Sequence, residues 1–469
     1  MTHNENDTIA AISTPVGNGG IAIIRLSGQD AFTIADKIIC EGKSGVLSAF
    51  VSGMNDHTIR HGYVFDFGNT SRDGRPELID ECLVTKMEAP RTYTTENIVE
   101  INSHGGFSVV NKTLELLLKA GARAAEPGEF TKRAFLGGRI DLSSAEAVMD
   151  IINAKTDNSR RAAVSGLSGR IGREISEICA ALTGTMAGID VSIEYPEYDF
   201  DEAVGSDALI ILDEQIKRLQ KLSDTYSQGR IAKEGVKIVI AGSPNAGKST
   251  LMNLFCGTDR SIVTNVPGTT RDLIEEQIQL FGFPITITDT AGIRQTADIV
   301  EKIGVDRAKD AITNADLLLY VIDALDPVVD EAALDGCALN KIYIINKTDA
   351  KKDVADIRAT LPEDANVMEV SALTGEGIEE LFNRIRDLFL LGNFDFTNET
   401  VITSKRHKQL IDEACDLLKI CVESNKNGMP LDFVAEDLRL ATEKLCEILG
   451  KNISDEVIDN IFLRFCVGK

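Results

Sequence analysis

The sequence predicts a multidomain fold that combines α+β and α/β architecture, and three observations carry that expectation. The chain has 469 residues, more than one compact core usually organises, since domains mostly span roughly 100–200 residues. Its hydrophobic period changes near Leu142, from short β-rich runs to spacings of three and four. Further on, apolar strands alternate with helical segments around a Gly-rich loop, the pattern of a doubly wound α/β domain.

Residues 1–122 mix short β-rich runs with Gly-containing turns and close on a helical pattern, Val109 to Leu118, which reads as an α+β domain. Residues 123–230 read as the first part of an α-helical domain. There Leu142, Ala145, Met149 and Ile152 form one apolar stripe behind a Ser143-x-x-Glu146 capping box. Residues 235–390 form the α/β domain, with strands expected at Val236–Ala241, Ile285–Thr288, Leu317–Ile322, Ile342–Ile345 and Val367–Val370. Residues 393–469 return to helix. Val434, Leu438, Ala441, Leu445 and Ile448 keep helical spacing, Gly450 suits the position after a helix, and Ser454 precedes Asp455 and Glu456 as cap and first-turn acids. Helices on both sides of an α/β unit imply that it is inserted into the helical domain, whose two parts must then pack together.

Composition narrows function. Forty-nine basic residues against 73 acidic ones give a net charge of −24 and a pI near 4.7, which excludes nucleic-acid binding through a global positive field. The nine cysteines are scattered and never spaced Cys-x-x-Cys, so neither a zinc knuckle nor a disulfide framework is indicated. The first residues are polar and acidic, and no run of about 18 apolar residues occurs. A cytoplasmic location without membrane attachment is therefore expected.

The loop Gly242-Ser-Pro-Asn245-Ala246-Gly247-Lys248-Ser249 follows an apolar strand and opens an amphipathic run at Thr250, the context a P-loop requires. Glycines let backbone N–H groups close around phosphate oxygens, Lys248 can reach the β- and γ-phosphates, and the Ser249 hydroxyl can ligate Mg²⁺. Asp289-Thr290-Ala291-Gly292 ends a second strand, where a carboxylate can hold a Mg²⁺-bound water and the Gly292 N–H can meet a γ-phosphate. Asn346-Lys347-Thr348-Asp349 ends another. Asp349 offers two acceptors to the N1–H and amino donors of guanine, whereas adenine presents an acceptor at N1, so GTP is selected over ATP. Ser371 and Ala372 supply the loop whose N–H faces the guanine carbonyl. Pro267-Gly-Thr269-Thr270-Arg-Asp272 lies where a switch threonine is expected, which makes Thr270 the second Mg²⁺ hydroxyl. The five elements in this order predict a Ras-like P-loop GTPase domain. One position departs from Ras-like enzymes, in which a Gln orients the attacking water. Ile293 stands there and cannot hydrogen-bond, while Asp298 and Glu301 offer carboxylates downstream.

The domain order, the P-loop, the Pro-Gly-Thr-Thr-Arg-Asp element and the tail Phe465-Cys466-Val467-Gly468-Lys469 together resemble the MnmE (TrmE) family of tRNA modification GTPases over the whole chain. The segments Gly19 to Gly28, Ser103-His104-Gly105-Gly106 and Pro127-Gly128-Glu129-Phe130 are the more specific part of that likeness. Val467 is a mild departure, since the family tail is usually Cys-Ile-Gly-Lys. The resemblance implies that the N-terminal domain binds a tetrahydrofolate derivative, 5-formyl or 5,10-methylene, and forms a homodimer. Arg25, Glu100, Arg139 and Lys469 match the folate-contacting positions, Arg139 standing where other members can carry Lys. It also implies K⁺-dependent hydrolysis, with the Asn245 side chain and the carbonyls of Thr264, Val266 and Thr269 as ligands. Thr264 and Thr269 then join the GTP-binding set, and Glu301 is selected as the residue that positions water. A monovalent cation beside the bridging phosphate oxygens can supply on the order of 10³–10⁵ in rate, as an arginine finger does.

The family works with a flavin partner, MnmG (GidA), in a heterotetramer-type complex. FAD would therefore enter only through the partner, and the product is an aminomethyl or carboxymethylaminomethyl group at carbon 5 of the wobble uridine of certain tRNAs. Cys466 matches the family's tail cysteine, with burial as a small hydrophobe and a chemical role both open. Candidate RNA contacts are Lys405-Arg406-His407-Lys408 and the group Lys132, Arg133 and Arg139. The competing reading is a ribosome-associated GTPase switch whose flanking domains carry out no modification chemistry.

Overall fold

The computed structural model describes residues 7–15, 17–70, 74–195, 201–257, 275–289, 311–329, 340–389 and 394–469. The chain forms two compact units, one built from residues up to 149 together with 446–469, the other from residues 150–445.

The first unit is organised on a seven-stranded sheet in the order Ile39–Cys40, Thr58–Thr70, Pro76–Met87, Ile98–Gly105, Gly19–Ser27, Ile9–Ile12 and Arg123–Ala124. Neighbours run antiparallel except the last pair, which is parallel. Alternation along the central strands buries one face: Ile24, Leu26, Val84, Val99 and Ile101 pack beneath the helices Ala31–Asp36 and Phe107–Ala120. Because Arg123–Ala124 pairs with Ile9–Ile12, this sheet runs past residue 122, the expected end of the first domain. Helices Glu129–Leu136 and Asp455–Phe462 belong to the same unit, with Leu142, Ala145, Phe462 and Phe465 sharing a small core.

The helix Leu142–Asn153 begins as the apolar stripe predicts, with a different cap. Asp141 Oδ1 accepts the Ser144 N–H at 2.7 Å and the Ser143 hydroxyl at 2.7 Å. A carboxylate one residue before the helix satisfies an orphan donor and faces the positive helix end, so the cap lies two residues upstream of the expected Ser143 box. Ser454 does hold the cap position of Asp455–Phe462, but its side chain makes no capping bond.

In the second unit, helices before and after the α/β section pack on one another, as an insertion requires. The Ser223 hydroxyl donates to Asp412 at 2.6 Å, and Ile402 N donates to Thr225 Oγ1 at 3.1 Å. The inserted sheet has the order Val367–Glu369, Asn340–Asn346, Leu317–Asp323, Val236–Gly242, Phe283–Asp289 and Glu275–Leu280, parallel except at the last strand. Both faces are covered. Ile238, Ile240 and Ile344 meet Phe255 and Leu381 on one side, while Val239, Leu318, Tyr320 and Tyr343 meet Ile357 on the other, which is why these strands read as continuous apolar runs.

Candidate functional site

In open parallel sheets ligands bind beyond the carboxyl ends of the strands, and here four of those ends converge. Register places Asp289 beside Ile240, Gly242 beside Val321, and Asp323 beside Asn346. The loop after Val236–Gly242 is folded tightly. Asn245 and Gly247 take positive φ values of 61° and 95°. A Cβ on Gly247 would lie 2.2 Å from Asn346 Nδ2, and one on Gly242 would lie 2.1 Å from the Val321 carbonyl oxygen. Both positions therefore exclude any larger residue.

Lys248 is buried, and its ammonium donates to the carbonyls of Gly242 at 3.0 Å and Ser243 at 2.7 Å. The Ser249 hydroxyl lies 3.1 Å from Asp289 Oδ2. A hydroxyl and a carboxylate side by side are the hard oxygen set that suits Mg²⁺. Asn346 ties two loops together: its amide nitrogen donates to the Ala246 carbonyl at 2.8 Å, and its oxygen accepts the Ala372 N–H at 2.9 Å. Asp349 Oδ1 accepts the buried Ser371 hydroxyl at 2.6 Å. The fold thus gathers Asn245, Ala246, Gly247, Lys248, Ser249, Thr250, Asp289, Asn346, Lys347, Asp349, Ser371 and Ala372 around one edge. Thr264, Val266, Thr269, Thr270, Thr290, Ala291, Gly292 and Glu301 lie outside the described residues.

Sequence reasoning passed over Asp323. It is buried, and its Oδ2 accepts the Lys347 ammonium at 2.6 Å while Oδ1 accepts the Leu325 N–H at 2.9 Å. Burial alone would raise this carboxyl; the Lys347 and backbone hydrogen bonds outweigh it and hold the group below the usual carboxylate range. The signal was available in the strand ends, because an acid closing one strand at the level of Asn346 on the next lies beside the Asn346–Asp349 loop.

The first unit holds a second polar cluster. Arg25 and Glu100 are direct partners on adjacent strands, bonded at 2.8 Å and exposed by only 15% and 21%, so this is no ordinary surface pair. The Arg25 guanidinium also donates to the Gly468 carbonyl at 3.3 Å and lies 5.6 Å from the centre of the buried Phe130 ring. Phe130 shares an apolar cluster with Tyr93, over whose ring Arg139 sits at 5.0 Å while donating to the Tyr93 carbonyl at 3.0 Å. The tail is stitched to this place by a Pro127–Val467 bridge and by the Ser13 hydroxyl on the Gly468 carbonyl at 3.1 Å. Lys469 follows directly, and Cys466 is exposed. The cluster thus brings two arginines and one carboxylate beside the half-buried Tyr93, with Phe130 packed beneath them.

Among the RNA candidates, several basic groups are already engaged. Arg133 is 10% exposed and bonds Asp7, Glu96 and Glu129 at 2.8–3.1 Å, Lys132 pairs with Asp459, and Lys408 pairs with Asp412. His407 faces inward from its helix. Lys405 is exposed. Among the described residues no helix is long and apolar enough to cross a membrane, and no cluster of three or more His, Cys, Asp or Glu side chains is placed to hold a metal.

Comparison with known proteins places this geometry. A family model described as "GTP-binding protein TrmE N-terminus" matches residues 8–139, and one described as "MnmE helical domain" matches residues 142–466. A protein of Acetivibrio thermocellus named tRNA modification GTPase MnmE is 44% identical over 473 aligned residues, covering 99% of this chain and 100% of that protein. Its namesake in Oceanobacillus iheyensis is 42% identical with the same coverage.

Proposed function

Because this chain belongs to the MnmE (TrmE) family of tRNA modification GTPases, we propose that it couples K⁺-stimulated GTP hydrolysis to one-carbon modification of tRNA. The chain is a GTP hydrolase, and membership in the family carries nucleotide and Mg²⁺ binding with it. Working with the flavoprotein MnmG (GidA), it would form the 5-carboxymethylaminomethyl or aminomethyl group on the wobble uridine of certain tRNAs. The observation that carries this reading is the convergence of Lys248, Ser249, Asp289, Asn346 and Asp349 on one sheet edge, in a chain whose other unit holds the Arg25–Glu100 cluster.

Each residue has a role set by its chemistry. Lys248 and the loop N–H groups would hold the phosphates, Ser249 and Thr270 would hold Mg²⁺, and Asp349 would read the donor edge of guanine. Glu301 orients the attacking water, the task Ile293 cannot perform. Asn245 with the carbonyls of Thr264, Val266 and Thr269 would hold K⁺, which when bound neutralises charge at the transferring phosphoryl group. In the first unit Arg25, Glu100, Arg139 and Lys469 would hold a 5-formyl- or 5,10-methylene-tetrahydrofolate, which when bound supplies the one-carbon unit.

A homodimer through the first unit is supported by the open face of its sheet. Ile59 and Leu83 are 62% and 49% exposed and stand in cross-strand rows with Thr85, Glu100 and Asn102. Apolar surface therefore continues on the same face as the Arg25–Glu100 pair, as an interface beside the ligand would need. The net charge of −24 favours sharing tRNA with a partner over gripping it alone.

Nucleoside mass spectrometry of tRNA from cells lacking the protein tests the reading. Loss of the modified wobble uridine is expected; an unchanged profile would favour the ribosome-associated switch. For catalysis, Glu301→Ala should keep GTP binding and lose about 100-fold or more in K⁺-stimulated turnover, measured in K⁺ against Na⁺ with and without the flavin partner. Near-normal turnover would assign the water to another residue.

A further inference from the structure

We propose that Asp323 is a positioning residue for guanine recognition: it anchors the ammonium of Lys347, so that the lysine stem stands ready beside the base and its charge is kept off Asp349. The proposal rests on the reading of Asp349 as the guanine acceptor given above.

Three features converge on it. Asp323 ends its strand in register with Asn346, and Ala324 N donates to the Asn346 carbonyl at 3.0 Å, so the two strand ends are fixed to one another. Both carboxylate oxygens of Asp323 are committed, one to Leu325 N–H and one to Lys347 Nζ, which sets the orientation of the acceptor as well as its position. Lys347 itself has φ of 67°, left-handed backbone for a non-glycine residue, a conformation that persists only where the surroundings determine it. Its side chain is 34% exposed although its head is tied to a carboxylate that is 10% exposed, leaving methylene surface accessible.

Two physical consequences favour binding. A free lysine is among the costliest side chains to order, and an anchored one has already lost that freedom before nucleotide arrives. An unanchored ammonium two residues from Asp349 would also compete with the guanine donors for that carboxylate. Asp349 instead accepts the Ser371 hydroxyl at Oδ1, a neutral partner that orients it and leaves Oδ2 and the second lone pair of Oδ1 to other donors.

The test is a double-mutant cycle read by GDP affinity and by steady-state hydrolysis. Asp323→Asn should weaken GDP about 5- to 10-fold and raise the KM for GTP while kcat stays within about twofold. In a Lys347→Met background the same change should have no further effect. An undiminished effect in that background, or a fall in kcat without a rise in KM, would overturn the proposal. Should Asp323→Asn fail to fold by circular dichroism, Lys347→Met alone decides: GDP binding must weaken at least about fivefold, and unchanged affinity rejects the role. Asp349→Asn separates the two levels. If it transfers preference from GDP to xanthosine diphosphate while Asp323→Asn leaves GDP untouched, only the positioning role falls; if it leaves GDP binding unchanged, the guanine reading beneath it falls.

Discussion

Glu129 shows how a single side chain can organise its surroundings. Its carboxylate accepts Arg123 at 2.5 Å and Arg133 at 3.0 Å, while Asp7 bonds both arginines and Glu96 bonds Arg133. Burial by itself would raise the Glu129 carboxyl; Arg123, the Glu126 N–H and Arg133 overcome that and hold it below the usual glutamate range, and hydrogen bonding from Arg123 is the main cause that lowers Asp7. Groups depressed in the folded state stabilise it fully above their unfolded pKa, and that contribution is lost as pH falls through the folded values. Unfolding followed by near-ultraviolet circular dichroism should therefore show the first unit weakening as pH falls from the ordinary carboxylate range down through the depressed folded values. Glu129→Gln should cost about 2–4 kcal/mol at neutral pH and flatten that acid dependence. The residues that gather at the sheet edge were legible because their spacing along the chain places them on consecutive strand ends. Arg133 and Asp323 were not, because their partners come from other strands and helices.

At the level of elements, hydrophobic period located helices and strands well and their ends less well. The strand expected at Ile285–Thr288 runs Phe283–Asp289, because Phe283 packs beside Phe396 and near Ala162 and Ala232 at one end and Asp289 belongs to the nucleotide edge at the other. Neither contact is visible in a local apolar count. The helix at Leu142 was legible, but its cap was not, since Ser143-x-x-Glu146 and the preceding Asp141 both fit a helix start. Asp141→Ala should destabilise by about 1 kcal/mol, whereas Ser143→Ala should have a smaller effect. Urea denaturation of the two variants decides between the caps.

For the whole molecule, length and the change of period indicated several domains, and the two compact units show how the chain distributes them. What one sequence could not reveal is which distant segments share a core. Leu142 and Ala145 pack with Phe462 and Phe465, and Phe462 is 2% exposed. Phe462→Ala should cost about 3–5 kcal/mol, and the loss should appear in the first unit although the substitution lies near the far end of the numbering. Site-resolved hydrogen exchange would show it as faster exchange in Leu142–Asn153 and Glu129–Leu136.

This arrangement has a consequence for biosynthesis. The two segments that complete the first unit are separated by about 300 residues, which at ribosomal speeds of about 5–20 residues per second take roughly 15–60 s to make. Throughout that interval the nascent chain carries Leu142, Ala145 and the Arg25 guanidinium without Phe462, Phe465 and the Gly468 carbonyl. The waiting surface is the kind that chaperones hold, and the cluster built on the tail can be assembled only after the nucleotide-binding sheet has already been synthesised.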